Sequence, residues 1–199
     1  FWTGHMVPWS KVPCPANYVR QERRAPRSAS TVLAMSPIAA ERCVGGNDLT
    51  EPRLAQGGRL LAFASSTAGV ASLVLHRFDG SADEVLASAP PLRPGRGLGG
   101  GSWAFTRDGG AVVYIGVDGN VWLQTIDGRP AERLTDHGPD RVATSPCVAA
   151  DGDAIVYVLD LEEVHRVDVA SGHTTRLDDG TADFCMDAFV DADGVSVRW

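Results

Sequence analysis

The sequence predicts an all-β fold: a partial, truncated β-propeller of about three to four blades, each a four-stranded antiparallel sheet. Three observations lead there. A unit recurs with a closing aromatic at Phe63, Tyr114, Tyr157 and Trp199, spaced 51, 43 and 42 residues apart. Several short strands per unit at a period of about 40–45 residues is the signature of a propeller blade. Each unit is punctuated by tight turns, and the chain carries 22 glycines and 12 prolines in 199 residues. That much turn chemistry argues against a helical bundle.

The first unit, near 54–90, opens at Gly57-Gly58, runs through Leu60-Leu61-Ala62-Phe63, pairs it with a strand at Leu73-Val74, turns at Asp79-Gly80 and ends on Leu86. Its surplus length falls in Ser88–Gly101, a Pro/Gly-rich link between blades; lengthening there costs little because closure entropy grows only logarithmically. The second unit, near 100–146, reads Asp108-Gly109-Gly110, Ala111–Tyr114, Val121-Trp122, Asp127-Gly128 and Leu134. The third, near 147–187, repeats this with Asp151-Gly152-Asp153, Ala154–Leu159, Val164-His165, Ser171-Gly172 and Leu177. Another begins at 188–199 with Asp193-Gly194 and runs to Trp199. Asp-Gly and Ser-Gly supply the positive φ that two-residue hairpins require. Trp103, Trp122 and Trp199 fall at strand positions, where they are expected to pack in or between blades. The propeller domain is expected over 35–199. Residues 1–34 show no periodicity and leave Trp2 and Trp9 without partners, so they read as a basic tail, disordered or non-native, with Met35 as the expected natural start.

Charge excludes some functions. The net charge is −7, and 17 of the 18 basic residues are Arg. Residues 1–34 carry a net of +4 and the remainder −11, so nucleic acid and anionic membrane surfaces are poor partners for the propeller. The longest strongly apolar run is far short of the ~18 residues a membrane span needs. Cys14, Cys43, Cys147 and Cys185 are widely spaced and form neither a C-x-x-C motif nor a zinc pattern. The first residues lack signal-peptide features, and no N-x-[ST] acceptor occurs. A reduced, cytoplasmic location is expected.

The stretch Phe105–Tyr114, then Val121-Trp122 and Arg133-Leu134-Thr135, resembles the repeats of Tol-type and prolyl-oligopeptidase-type propellers. Ser36-Pro37-Ile38, Leu49–Leu54, Gly99–Trp103 and Asp183–Asp187 followed by Asp193-Gly194 add to it in order. Together they resemble the N-terminal propeller of bacterial serine peptidases of the prolyl oligopeptidase family, dipeptidyl- and acylaminoacyl-peptidase-like members, over about residues 36–199. The resemblance implies a propeller that gates and orients short peptides for an α/β-hydrolase domain. That domain has no counterpart here: the G-x-S-x-G elbow does not occur in the 199 residues. The expected partners are therefore short peptides and the missing hydrolase domain, with self-association through open propeller edges. A Tol-like or WD40-like interaction propeller without enzymatic activity is the alternative, and an independent small β domain a third reading.

Individual candidate sites resolve into structure. Gly95–Gly100 matches G-x-G-x-x-G, but a Pro-rich loop precedes it and a strand follows, so it reads as an inter-blade loop rather than a phosphate cradle. The turns at Asp151–Asp153, Asp178–Gly180 and Asp191–Gly194 lack the ligand pattern of a calcium loop and read as hairpin chemistry. His5, His76, His137, His165 and His173 are scattered and read as strand-face or solvated groups. Glu162-Glu163 resembles the Glu pair with which some dipeptidyl peptidases hold a substrate amine, yet it falls in an inter-strand turn and reads as solvated. No catalytic residue, cofactor site or metal site is assigned.

Overall fold

The computed structural model describes residues 46–55, 57–86, 89–95, 101–191 and 196–199. The chain divides into two units, Phe1–Pro37 and Ile38–Trp199, and every described residue belongs to the second. The expected tail, with Trp2, Trp9, His5 and Cys14, lies outside the described residues, as do residues 35–45 of the expected propeller domain, Cys43 among them.

Among the described residues all regular structure is β, and no helix is long and apolar enough to cross a membrane. The first sheet comprises β1 (Asp48–Leu54), β2 (Leu60–Thr67), β3 (Val70–Arg77) and β4 (Glu84–Leu86). The second comprises β5 (Trp103–Phe105), β6 (Ala111–Ile115), β7 (Val121–Thr125) and β8 (Glu132–Arg133). The third comprises β9 (Ala143–Val148), β10 (Ala154–Leu159), β11 (Glu163–Asp168) and β12 (Thr174–Arg176). A two-stranded sheet follows, β13 (Phe189–Val190) with β14 (Val197–Arg198). Strands are adjacent in chain order and antiparallel throughout, the meander of propeller blades.

The turn glycines do what their sequence positions predict. Gly80, Gly109, Gly128, Gly152 and Gly172 all have positive φ, between 68° and 86°. The strands between them pair in register: Tyr114 lies opposite Trp103 on β5 and Trp122 on β7, and Tyr157 opposite His165.

The sheets stack face to face by one rule. Ala62, Ala64, Leu73 and Leu75 of the first sheet pack on Trp103, Val112 and Tyr114 of the second. Val113, Ile115 and Val121, on the second sheet's other face, pack on Ile155, Tyr157, Leu159 and Val167 of the third. Val156, Val158 and Val164 then meet Ala188, Val190 and Val197. Residues of opposite parity thus serve opposite neighbours, as the period of two requires. β6 and β10 are buried at every position because both faces are covered, whereas β2 alternates. Each fully buried Leu or Val contributes about 1.5–3 kcal/mol relative to exposure, so sheet stacking is the main source of stability.

In or just before the first strand of each sheet, a feature follows the same repeat. Glu51, Ser145 and Asp187 all adopt left-handed backbone, with φ of 52°, 52° and 53°. In the second sheet the corresponding residue is Ser102, preceded by Gly101 at φ 66°. At Glu51 and Ser145 the ladder skips, and Pro52 and Pro146 follow. Proline has no N–H for the ladder and is confined to such bulges and edges.

Candidate functional site

The first strands of the sheets, each an edge strand, line a common groove of about 760 Å³. Leu54, Phe105, Val148 and Phe189 supply its apolar surface, and Arg53, Arg107 and Asp187 are among its charged lining residues. Arg107 is held by its Nη1, which donates to the Ala150 carbonyl at 2.8 Å. The Arg53 guanidinium lies 5.5 Å above the Trp103 ring centroid, a cation–π distance. Cys147, half-buried, brings a free thiol to the wall.

The bulges hold these walls together. The Glu51 carboxylate accepts the Ser102 N–H at 2.7 Å and the Ser102 hydroxyl at 2.9 Å, joining β1 to the head of β5. Gly95 and Gly101 close over that carboxylate so tightly that a Cβ on either would collide with it. One sheet further on, the Ser145 N–H donates to the Gly101 carbonyl at 3.1 Å. The geometry of the groove is therefore set by contacts between consecutive sheets.

A second cluster spans the link from the second sheet to the third. Asn120, almost fully buried, accepts the His137 N–H at 2.9 Å and the Thr135 hydroxyl at 3.2 Å on its Oδ1. This places the His137 Nε2 2.9 Å from the Tyr157 hydroxyl. The Tyr157 ring stacks on His165, whose Nε2 is 2.7 Å from Glu163 Oε2. Glu163 also accepts from Arg141 at 2.8 Å and from Arg176 at 3.2 Å. Arg141 reaches Asp160 at 2.7 Å, and Arg176 binds Asp178.

The electrostatics follow from these partners. The hydrogen bond from His165, followed by those from Arg141, keeps the Glu163 carboxyl below its ordinary range. Asp178, with a side chain only 1% exposed, is held far below its range by the Arg176 hydrogen bond and then by the backbone N–H groups of Val164 and Gly180. Burial is the main force pushing the Tyr157 hydroxyl up and the His137 imidazole down, the latter aided by His165 and Arg141. Both carboxylates are thus paired with arginines, Glu163 with Arg141 and Arg176 and Asp178 with Arg176. The cluster fastens two sheets; its Glu163 differs from the solvated turn residue the sequence suggests, because it begins β11 and faces Arg141 from the preceding link.

The other expected candidates separate. Within 95–100, Gly95 packs over Glu51, while 96–100 lie outside the described residues. Asp151 caps its own turn through the Asp153 N–H, and Asp179 does so through Thr181; of the third acidic turn, 192–194 lie outside the described residues. His76, near the end of β3, pairs with Asp83 at 2.7 Å, and His173 sits in the β11–β12 turn. Cys185 is buried, donates to the Glu162 carbonyl at 3.4 Å, and has its thiol pushed up by that burial. Trp103 is fully buried between the first two sheets, Trp122 donates to Asp118 at 3.1 Å, and Trp199 is half-exposed.

Sequence reasoning missed the Glu51–Ser102 joint and the groove it supports. A signal was present: Glu51, Ser102, Ser145 and Asp187 are spaced by the same 51, 43 and 42 residues as the aromatics, with Pro52 and Pro146 marking two of them.

The chain matches no protein-family model and no curated protein. Solved structures do share its architecture. TolB from Acinetobacter baumannii is 19% identical, with a TM-score of 0.56 over 76% of this chain and 37% of that one. A structure assigned to TolB of Agrobacterium tumefaciens is 18% identical, with a TM-score of 0.53 over 74% of this chain and 52% of its own. The chain thus spans between about a third and a half of those proteins. What it shares with them is the fold: an all-β arc of TolB-like propeller blades.

Proposed function

We propose that this chain is a non-catalytic interaction propeller that holds an extended polypeptide segment along the groove of its first strands. The observation that carries the proposal is that groove: about 760 Å³, within the size range of ligand sites, and contributed to by all four sheets. Its walls are edge strands, whose outward backbone groups suit strand addition, while the apolar side chains and the charged Arg53, Arg107 and Asp187 suit alternate side chains of a peptide. Phage-displayed peptides selected on the chain test it. A bound peptide is expected to slow alkylation of Cys147, read by mass spectrometry on the Cys147 fragment, and Arg107→Glu is expected to weaken binding. Selected peptides that bind without protecting Cys147 would refute the groove as the site.

The order of motifs from Ser36 to Gly194 favours a second, finer reading, in which the same groove serves a prolyl-oligopeptidase-type serine peptidase and its peptides pass to a hydrolase domain. Coding sequence downstream of Trp199 distinguishes the two: further blades followed by G-x-S-x-G support the peptidase, and a stop after the last blade removes it.

A further inference from the structure

We infer that the polypeptide segment held in the groove is acidic, with Asp or Glu side chains that meet Arg53 and Arg107. The inference rests on the groove as the peptide site and adds the chemistry of the occupant. Residues 35–199 carry a net charge of −11, yet the charged residues lining the groove are two arginines and one aspartate. The groove is therefore a locally positive stretch of an acidic chain. Such a reversal of sign favours an occupant of the opposite charge.

Both cations are held, and neither is matched. Several arginines elsewhere sit against carboxylates, Arg141 on Asp160, Arg176 on Asp178 and Arg198 on Asp191. Arg53 and Arg107 are exposed and enter no ion pair with a described carboxylate. Arg53 lies over the Trp103 ring, and Gly101 leaves it room: a Cβ there would come within 2.6 Å of the Arg53 Nη2. The Glu51 carboxylate beside the same glycine is taken up by Ser102. Arg107 gives its Nη1 to the Ala150 carbonyl, which fixes its head while its other N–H groups keep their capacity to donate. It also borders an adjoining cleft with Asp108, Asp151 and Asp153. There Asp108 accepts from Thr106 and Gly110, and Asp151 from Asp153, all within their own turns.

A guanidinium meets a carboxylate through parallel N–H groups, so a held arginine selects acidic side chains by shape as well as charge. The acidic remainder of the chain opposes approach from a distance. Salt screens exposed charges beyond about 8 Å at physiological ionic strength, so the charges in contact decide. Asp187 acts against the two arginines. It lines the same groove, has a φ of 53°, and enters no ion pair with a described cation. Its carboxylate repels an acidic side chain. Removing either arginine and removing Asp187 should therefore act in opposite directions.

Peptides selected on the whole chain from a random phage-displayed library test this. Those that slow alkylation of Cys147 are synthesised beside counterparts in which Asp and Glu become Asn and Gln, and fluorescence anisotropy compares their affinities. The protecting peptides should be enriched in Asp and Glu over the unselected library, and each should bind more tightly than its neutral counterpart. Arg53→Gln and Arg107→Gln should each weaken the acidic peptides by roughly two- to fivefold. Asp187→Asn should tighten them by a similar factor, and the neutral counterparts should change little with all three. Circular dichroism identifies any variant that fails to fold, and Asp187→Asn, the smallest change, tests the sign by itself. Protecting peptides without acidic enrichment, or variants that move acidic and neutral peptides alike, would overturn the inference and leave the groove as the peptide site. If no selected peptide protects Cys147, both proposals fall.

Discussion

Replacing Glu51 by alanine removes the carboxylate that accepts both the N–H and the hydroxyl of Ser102. Ser102 is only 4% exposed, so both donors remain out of water. A buried donor left without an acceptor costs about 1–3 kcal/mol, with charged acceptors toward the upper end. The expected loss is therefore about 2–3 kcal/mol. Alanine inherits the left-handed φ of 52°, and that strain, about 1–2 kcal/mol for a residue with a Cβ, is unchanged. Glycine at the same position is free of it. Glu51→Gly should accordingly be about 1 kcal/mol more stable than Glu51→Ala, although it keeps fewer atoms. Urea unfolding followed by Trp fluorescence and circular dichroism measures both differences. In thermal melts the alanine variant should fall by about 5–10 °C for a domain of this size. An alanine variant within about 0.5 kcal/mol of wild type, or a glycine variant less stable than the alanine one, would refute this account of the joint.

Three further expectations concern the same framework. Burial holds the folded His137 imidazole below the ordinary 6.5, so its contribution is complete above about pH 6.5 and is lost as pH falls below it, at up to about 1.4 kcal/mol per pH unit. Melting temperatures between pH 8 and 5 should therefore flatten in His137→Gln, and an unchanged slope would count against it. Asp178 also has a depressed folded value, so Asp178→Asn should destabilise the chain at pH 7, with the gap narrowing as pH falls below about 4; a gap constant from pH 7 to 3.5 would contradict the ion pair. At Gly119, φ is 80° and a Cβ would strike the Arg141 carbonyl, whereas at Gly128, φ is 81° and the space is open. Gly128→Ala should cost about 1–2 kcal/mol of strain alone, and Gly119→Ala clearly more; equal losses would show that the backbone between the second and third sheets yields freely.

Much of the fold is legible in the sequence because the relevant signals are local. Asp108-Gly109 and Asp127-Gly128 place hairpin turns by backbone sterics, and Leu73, Leu75, Val113 and Ile115 mark faces by alternation. The repeat makes those local signals reinforce one another. The site is less legible. Glu51 and Ser102 are 51 residues apart, and nothing near either announces the other. Thr135 and Asp178 occupy the same repeat position and accept equivalent N–H groups, from Val121 at 3.0 Å and Val164 at 2.7 Å. Their unlike side chains hide that shared role.

By itself the sequence determined the blade: its strands, turns and order, and which residues alternate to which face. These depend on φ/ψ preference and on the period of two, both carried by a few neighbouring residues. Only the tertiary structure decided what the blades make together. The groove, the Glu51–Ser102 joint and the commitment of Glu163 to Arg141 all depend on distances between separate sheets or links. Those distances are set by packing opposed faces, a property of pairs of surfaces that no single repeat contains.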